Sequence, residues 1–70
     1  MNQDFWIKNG RCKTFDMKDE ISNHKPFTKY IQEFKCWKLV NVNPQDNVFN
    51  LMKQLGFVLE QIPGSESKYL

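Results

Sequence analysis

The clearest pattern of apolar and polar positions lies in the second half of the chain. Val48, Leu51, Met52 and Leu55 recur at i, i+3, i+4 and i+7, one apolar stripe of a helix, and Phe49 widens it. Asn43-Pro44 supplies the start signal: an asparagine that can cap the first turn, then a proline whose missing N–H would have been unpaired there. Asp46 sits where the helix dipole favours a negative charge. Gly56 is placed to end the helix in a left-handed conformation. On either side lie β-branched and apolar runs of strand length, Cys36 to Val42 and Phe57 to Ile62, the second stopped by Pro63-Gly64. The joints are short, so this strand–helix–strand unit predicts a parallel pair with a right-handed crossover.

The first half is patterned differently. From Asp4 to Phe15 the alternation predicts a β-hairpin turning at Asn9-Gly10, the strongest two-residue turn signal. In that register Phe5, Ile7, Cys12 and Thr14 face the core. Asp4, Trp6, Lys8, Arg11, Lys13 and Phe15 share the outer face. Asp16 with Asp19 or Glu20 opens a short helix with Met17 and Ile21 as its apolar contacts. Pro26 then starts a second one, in which Phe27, Tyr30, Ile31 and Phe34 fall at i, i+3, i+4 and i+7 and form a core stripe. The expected order is ββ(α)αβαβ. It describes one α+β domain over residues 1–62, a small mixed four-stranded sheet (N-terminal hairpin plus C-terminal βαβ unit) covered by two main helices. Residues 63–70 are small and polar and are expected to be a flexible tail.

Seventy residues are enough for one domain, but a chain of this size buries only about 60% of its unfolded surface. Its core supplies no more than about 3–5 kcal/mol, so dimerisation or a partner would add usefully to stability. The net charge of +2 is too small to argue for nucleic acid. Its distribution says more. Residues 1–38 hold eight Lys/Arg against five Asp/Glu, a balance of +3, and seven of the ten aromatic residues. The first half is basic and aromatic; the aliphatic core concentrates in the second. Frequent Lys, Asn and Phe fit an AT-rich coding source such as a phage. No apolar run approaches the roughly 20 residues that cross a bilayer. The N-terminus also lacks the basic and apolar regions of a signal peptide. A cytoplasmic location is expected. Cys12 and Cys36 are then free thiols near the core, although the sequence alone also allows them to pair.

The outer hairpin face is the main candidate surface. Trp6 and Phe15 can stack on bases while Lys8, Arg11 and Lys13 neutralise phosphates. Trp6 and Trp37 are equally the best aromatic anchors for a protein partner. Alternatively this is a solvated sheet face with Trp6 packed under lysine stems. No metal site or cofactor is expected: His24, the single histidine, makes with Cys12 and Cys36 only three soft ligands, at spacings that match no common zinc pattern. No catalytic residue is expected either. A cysteine–histidine nucleophile needs an orienting group and an oxyanion hole, and nothing in the sequence locates them. Asp16, Asp19 and Glu20 are explained as helix-start residues, and the three separated glycines make no phosphate-cradling loop.

Residues 51–65, with a helix, Leu-Gly-Phe, an apolar strand and Gly-Ser, resemble part of the HicA family of RNA-cleaving toxins. That family carries a catalytic histidine directly after Gly-Ser, and this chain has Glu66 there. The resemblance therefore argues against nuclease activity. The sequence as a whole predicts a small non-enzymatic protein-binding module with no membrane partner, such as a phage- or plasmid-encoded inhibitor or adaptor of a host protein. The alternative is RNA or single-stranded DNA binding through the basic, aromatic hairpin face. A homodimer joined along an unused sheet edge is a further option.

Overall fold

A computed structural model describes residues 1–69. The elements are β1 (Gln3–Lys8), α1 (Lys18–Ser22), β2 (Thr28–Ile31), β3 (Cys36–Val42), α2 (Asn47–Gln54), β4 (Val58–Gln61) and α3 (Ser65–Lys68). The α+β class and the four-stranded sheet are as expected. The sheet order is β2-β3-β1-β4, and every neighbouring pair is antiparallel. Since β3 and β4 both run antiparallel to β1, they point the same way. They are the two strands of the predicted βαβ unit, with β1 inserted between them in place of direct parallel pairing. Likewise β1 and β2 point the same way with β3 between them. Two interlocked split βαβ units make a ferredoxin-like connection order.

The N-terminal hairpin does not form. Both edges of β1 are taken, one by β3 and one by β4, so residues 11–15 have no edge to join. Asn9 and Gly10 serve a different loop. The Asn9 Oδ1 accepts the Thr14 N–H at 2.8 Å, and the Arg11 N–H donates to the Gly56 carbonyl at 2.8 Å. A Cβ on Gly10 would overlap that same Gly56 oxygen; here the glycine permits close approach of two backbone segments.

The helix expected from Pro26 to Phe34 is also absent; its middle is strand β2. Thr28, Tyr30 and Ile31 are residues that a pleated, half-buried surface favours. Their partners on β3, Leu39, Trp37 and Cys36, complete the pairing. The aromatic periodicity is therefore not a core stripe: Phe27, Tyr30 and Phe34 are all exposed. Residues 32–35 form the β2–β3 turn, in which Lys35 takes φ 51°.

The core lies between one face of the sheet and helices α1 and α2. It comprises Phe5, Ile7, Ile21, Leu39, Val42, Met52 and Phe57. Leu39 and Val42 are three positions apart, which alternation alone would place on opposite faces. A bulge resolves this: β1 advances two residues between its pairings with β3 while β3 advances three. Asn41 absorbs the extra residue at φ 55°, a left-handed conformation that asparagine tolerates better than most residues. Asn41 is exposed, so changing it isolates the backbone effect. Asn41→Val should cost about 1–2 kcal/mol, lowering Tm by roughly 5–15 °C, while Asn41→Gly should match or exceed the parent. A thermal melt that ranks valine with glycine would show that Asn41 is not held in the left-handed conformation at a bulge.

The expected helix after Asn43 starts slightly later, at Asn47, with Asp46 as its N-cap residue. Asn43 and Asp46 close a turn on each other. Asn43 Oδ1 accepts the Gln45 N–H and Asp46 Oδ2 accepts the Asn43 N–H, both at 2.9 Å. The helix ends as its glycine predicts, with Gly56 at φ 103°. The Gly56 N–H donates to the Lys53 carbonyl and the Phe57 N–H to the Met52 carbonyl, a Schellman pair with its usual apolar contact, here Phe57 on Met52.

The residues expected to form a flexible tail carry α3, which is tied to β1. The Asp4 N–H donates to Ser65 Oγ at 3.0 Å, and the Tyr69 hydroxyl donates to Asp4 Oδ1 at 2.8 Å. No helix of the described residues is long and apolar enough to cross a membrane.

Candidate docking face on the open sheet

Because α1 and α2 pack on the core side, the other face of the sheet is not covered by them. Cross-strand pairing sets its occupants. Trp6 of β1 stands opposite Lys38 of β3 and Glu60 of β4, and Lys38 stands opposite Lys29 of β2. Cys36 and Lys8 follow two positions along on the same side. From the β2–β3 turn, Phe34 reaches back over the face, and its ring meets Trp6 edge to face at 5.3 Å between centroids. Phe34 is 63% exposed. Trp6, Lys8, Phe34, Lys35, Cys36 and Glu60 line a groove of about 660 Å³, to which Thr14 also contributes.

Two of the lysines on this face are paired. Lys8 Nζ sits 2.6 Å from Glu60 Oε2, and that carboxylate raises the lysine pKa above its usual value. Lys38 Nζ lies 3.2 Å from Asp4 Oδ2 and 5.9 Å from the centre of the Trp6 ring. Asp4 is the buried node of this end of the sheet, only 1% exposed. Burial on its own would raise its pKa. The Asn41 N–H, the Tyr69 hydroxyl and Lys38 outweigh that and hold the carboxyl below its ordinary range. Lys68 of α3 adds a longer contact at 3.8 Å.

Cys36 is a structural thiol in this groove. Its Sγ lies 3.4 Å from both the Ile7 and Trp37 carbonyls. Burial pushes its pKa up more than nearby Lys8 lowers it, so the reactive thiolate is disfavoured. Cys12 and Cys36 are both free. Among the described residues no group of three or more His, Cys, Asp or Glu side chains is arranged to hold a metal ion.

The residues singled out in the sequence do not form one surface. Trp6 and Lys8 share the open face. Arg11 and Lys13 lie exposed in the loop after β1, with the Arg11 backbone held against Gly56. Phe15 projects beside α1, where Lys18 Nζ lies 5.1 Å from its ring centre. Trp37 belongs to the opposite face, half-buried against the core, with its ring 5.5 Å from Tyr30. The outer-hairpin grouping fails because it depended on a second strand at residues 11–15. Sequence reasoning missed Phe34, Lys38 and Glu60 as neighbours of Trp6. The signal for Lys38 was present, since alternation along β3 separates Cys36 and Lys38 from Trp37 and Leu39. What was missing was that β3 pairs with β1.

Comparison with protein-family models, curated proteins and solved structures finds no match in any of the three.

Proposed function

We propose that this chain is a small non-enzymatic binding domain that docks on another protein through its open sheet face, acting as an inhibitor or adaptor. The observation that carries this reading is the Trp6–Phe34 pair standing over a groove on the open face, with Phe34 exposed. Aromatic side chains at the centre of a patch are the usual energetic anchors of protein interfaces. A strand of nucleic acid would instead be held by cations free to neutralise phosphates; of the lysines around Trp6, Lys8 and Lys38 are engaged by Glu60 and Asp4, which leaves Lys29 and Lys35 without an ion pair among the described residues. A protein partner also suits a domain whose own core contributes little.

The test is affinity capture with the wild-type chain and the Phe34→Ala variant side by side, each with and without nuclease. Phe34 is exposed enough that its removal should change folding stability by no more than about 0.5 kcal/mol. It should weaken a partner held through this face by tenfold or more. A stoichiometric protein retained by wild type after nuclease treatment and lost from Phe34→Ala supports the reading. Equal recovery by both chains, or recovery that nuclease abolishes, refutes it.

A further inference from the structure

On the helix-covered side of the sheet, at the tip carrying the β2–β3 turn, a second concavity of about 370 Å³ is lined by Thr14, Phe15, Lys18, Tyr30, Lys35 and Trp37. Its composition differs from the open face in the respect that matters for ligand chemistry. Three aromatic rings and two lysines line it, and no carboxylate does. Among the described residues neither Lys18 nor Lys35 has an acidic partner within salt-bridge distance, unlike Lys8, Lys38 and Lys68. Phe15 is 75% exposed and Tyr30 47% exposed, so two of the three rings present apolar surface to water.

The fold builds this pocket from three separate segments. Cross-strand pairing puts Tyr30 opposite Trp37, and the two rings meet edge to face. The loop that replaces the expected hairpin brings Thr14 and Phe15 alongside, its course set by the Asn9–Thr14 bond. Lys18 begins α1, and Lys35 closes the β2–β3 turn with its backbone at φ 51°.

We infer that this pocket binds a nucleoside monophosphate, with the base against the Phe15, Tyr30 and Trp37 rings and the phosphate held by Lys18, Lys35 and the Thr14 hydroxyl. Stacking on aromatic faces is available to every base, and a phosphate is a strong acceptor for two ammonium groups and a hydroxyl. The volume lies within the roughly 300–1,000 Å³ common for small-ligand sites. Thr14 and Lys35 also line the open-face groove, but the three rings and Lys18 do not, so the inference does not rest on Trp6 and Phe34.

The test is calorimetric titration of the wild-type chain at low salt with the four common nucleoside monophosphates, their nucleosides and inorganic phosphate. At least one nucleotide should bind saturably with a Kd of about 1 mM or tighter. Its nucleoside and inorganic phosphate should each bind at least about tenfold more weakly, since each supplies half of the recognition. The Lys18→Gln/Lys35→Asn double variant should lose about tenfold or more. Glutamine suits a helix nearly as well as lysine, and asparagine tolerates the left-handed position. Val58→Ala, exposed on β4 and in the lining of neither groove, should leave nucleotide binding unchanged. In a Trp6→Phe background Trp37 is the one tryptophan left, and the nucleotide should quench it. No binding by any nucleotide, equal binding by the nucleoside, or undiminished binding by the double variant each overturns the assignment.

Discussion

Asp4→Ala is expected to remove most of the domain's stability at 25 °C. Asp4 is buried, yet its carboxylate accepts from the Asn41 N–H and the Tyr69 hydroxyl and faces Lys38. Alanine removes all three partners at once. It leaves an N–H at the bulge and a partly buried ammonium with nothing to replace the carboxylate. Removing one partner of such a pair costs about 3–5 kcal/mol when burial is complete. Lys38 keeps some access to water, so about 3 kcal/mol is expected here. That is comparable to the whole stability of a core this small, about 3–5 kcal/mol. Asp4→Asn keeps the shape and the acceptor and should lose about half as much. The carboxyl is held below its ordinary pKa when folded. Its contribution is therefore fully present above the unfolded value, about pH 4, and is lost as pH falls through the lowered folded value. Urea titrations from pH 7 to pH 2 should show the wild type weakening over that acid range and Asp4→Asn weakening less. Stability of Asp4→Ala within about 0.5 kcal/mol of wild type would mean that the carboxylate is not the node described.

Leu39→Ala is expected to cost a similar amount for a different reason. Leu39 is fully buried at the middle of β3, opposite Phe5 on one side and Thr28 on the other. Truncating it removes apolar burial and leaves a cavity between sheet and helices, a loss of about 2–5 kcal/mol. Leu39→Met conserves the volume and should cost less than about 1.5 kcal/mol. Val58→Ala, at an exposed edge-strand position, should lie within about 0.5 kcal/mol of wild type. Denaturant midpoints check the ranking. A Leu39→Ala chain as stable as Val58→Ala would displace the core from where it is described.

How legible the fold is depends on whether its signals are local. The stripe from Val48 to Leu55 and the glycine that ends it are local, and α2 with its Schellman end matches them. The short helix carrying Ile21 is local too. Asn9-Gly10 was also a local signal, but it lost to a non-local one: β3 and β4 occupy both edges of β1, and no strand can form a third pairing. At Phe27 to Phe34 two periods competed. The aromatic spacing fits a helix, yet Thr28, Tyr30 and Ile31 pair with a ready strand, and packing against a neighbour overrides weak local preference. The bulge at Asn41 had no sequence signal beyond an asparagine among β-branched residues. It follows from the need to turn both Leu39 and Val42 inward.

The candidate site was legible in its residue types and not in its grouping. Trp6 and Lys8 were identified with their neighbours at the wrong positions, since contacts across a sheet depend on strand order. Phe34, assigned to a core stripe, instead stands exposed over Trp6. A ferredoxin-like connection order carries many unrelated functions; what points to docking is the open face itself, with its aromatic pair and the groove beside it.

The most direct measurement is an NMR titration of the isotope-labelled chain with the protein recovered by capture. Shifts and line broadening should concentrate on Trp6, Lys8, Phe34, Cys36 and Lys38, with the amides of α1 and α2 little changed. Perturbations centred on the exposed sides of α1 and α2, with Trp6 and Phe34 silent, would contradict docking through the open face.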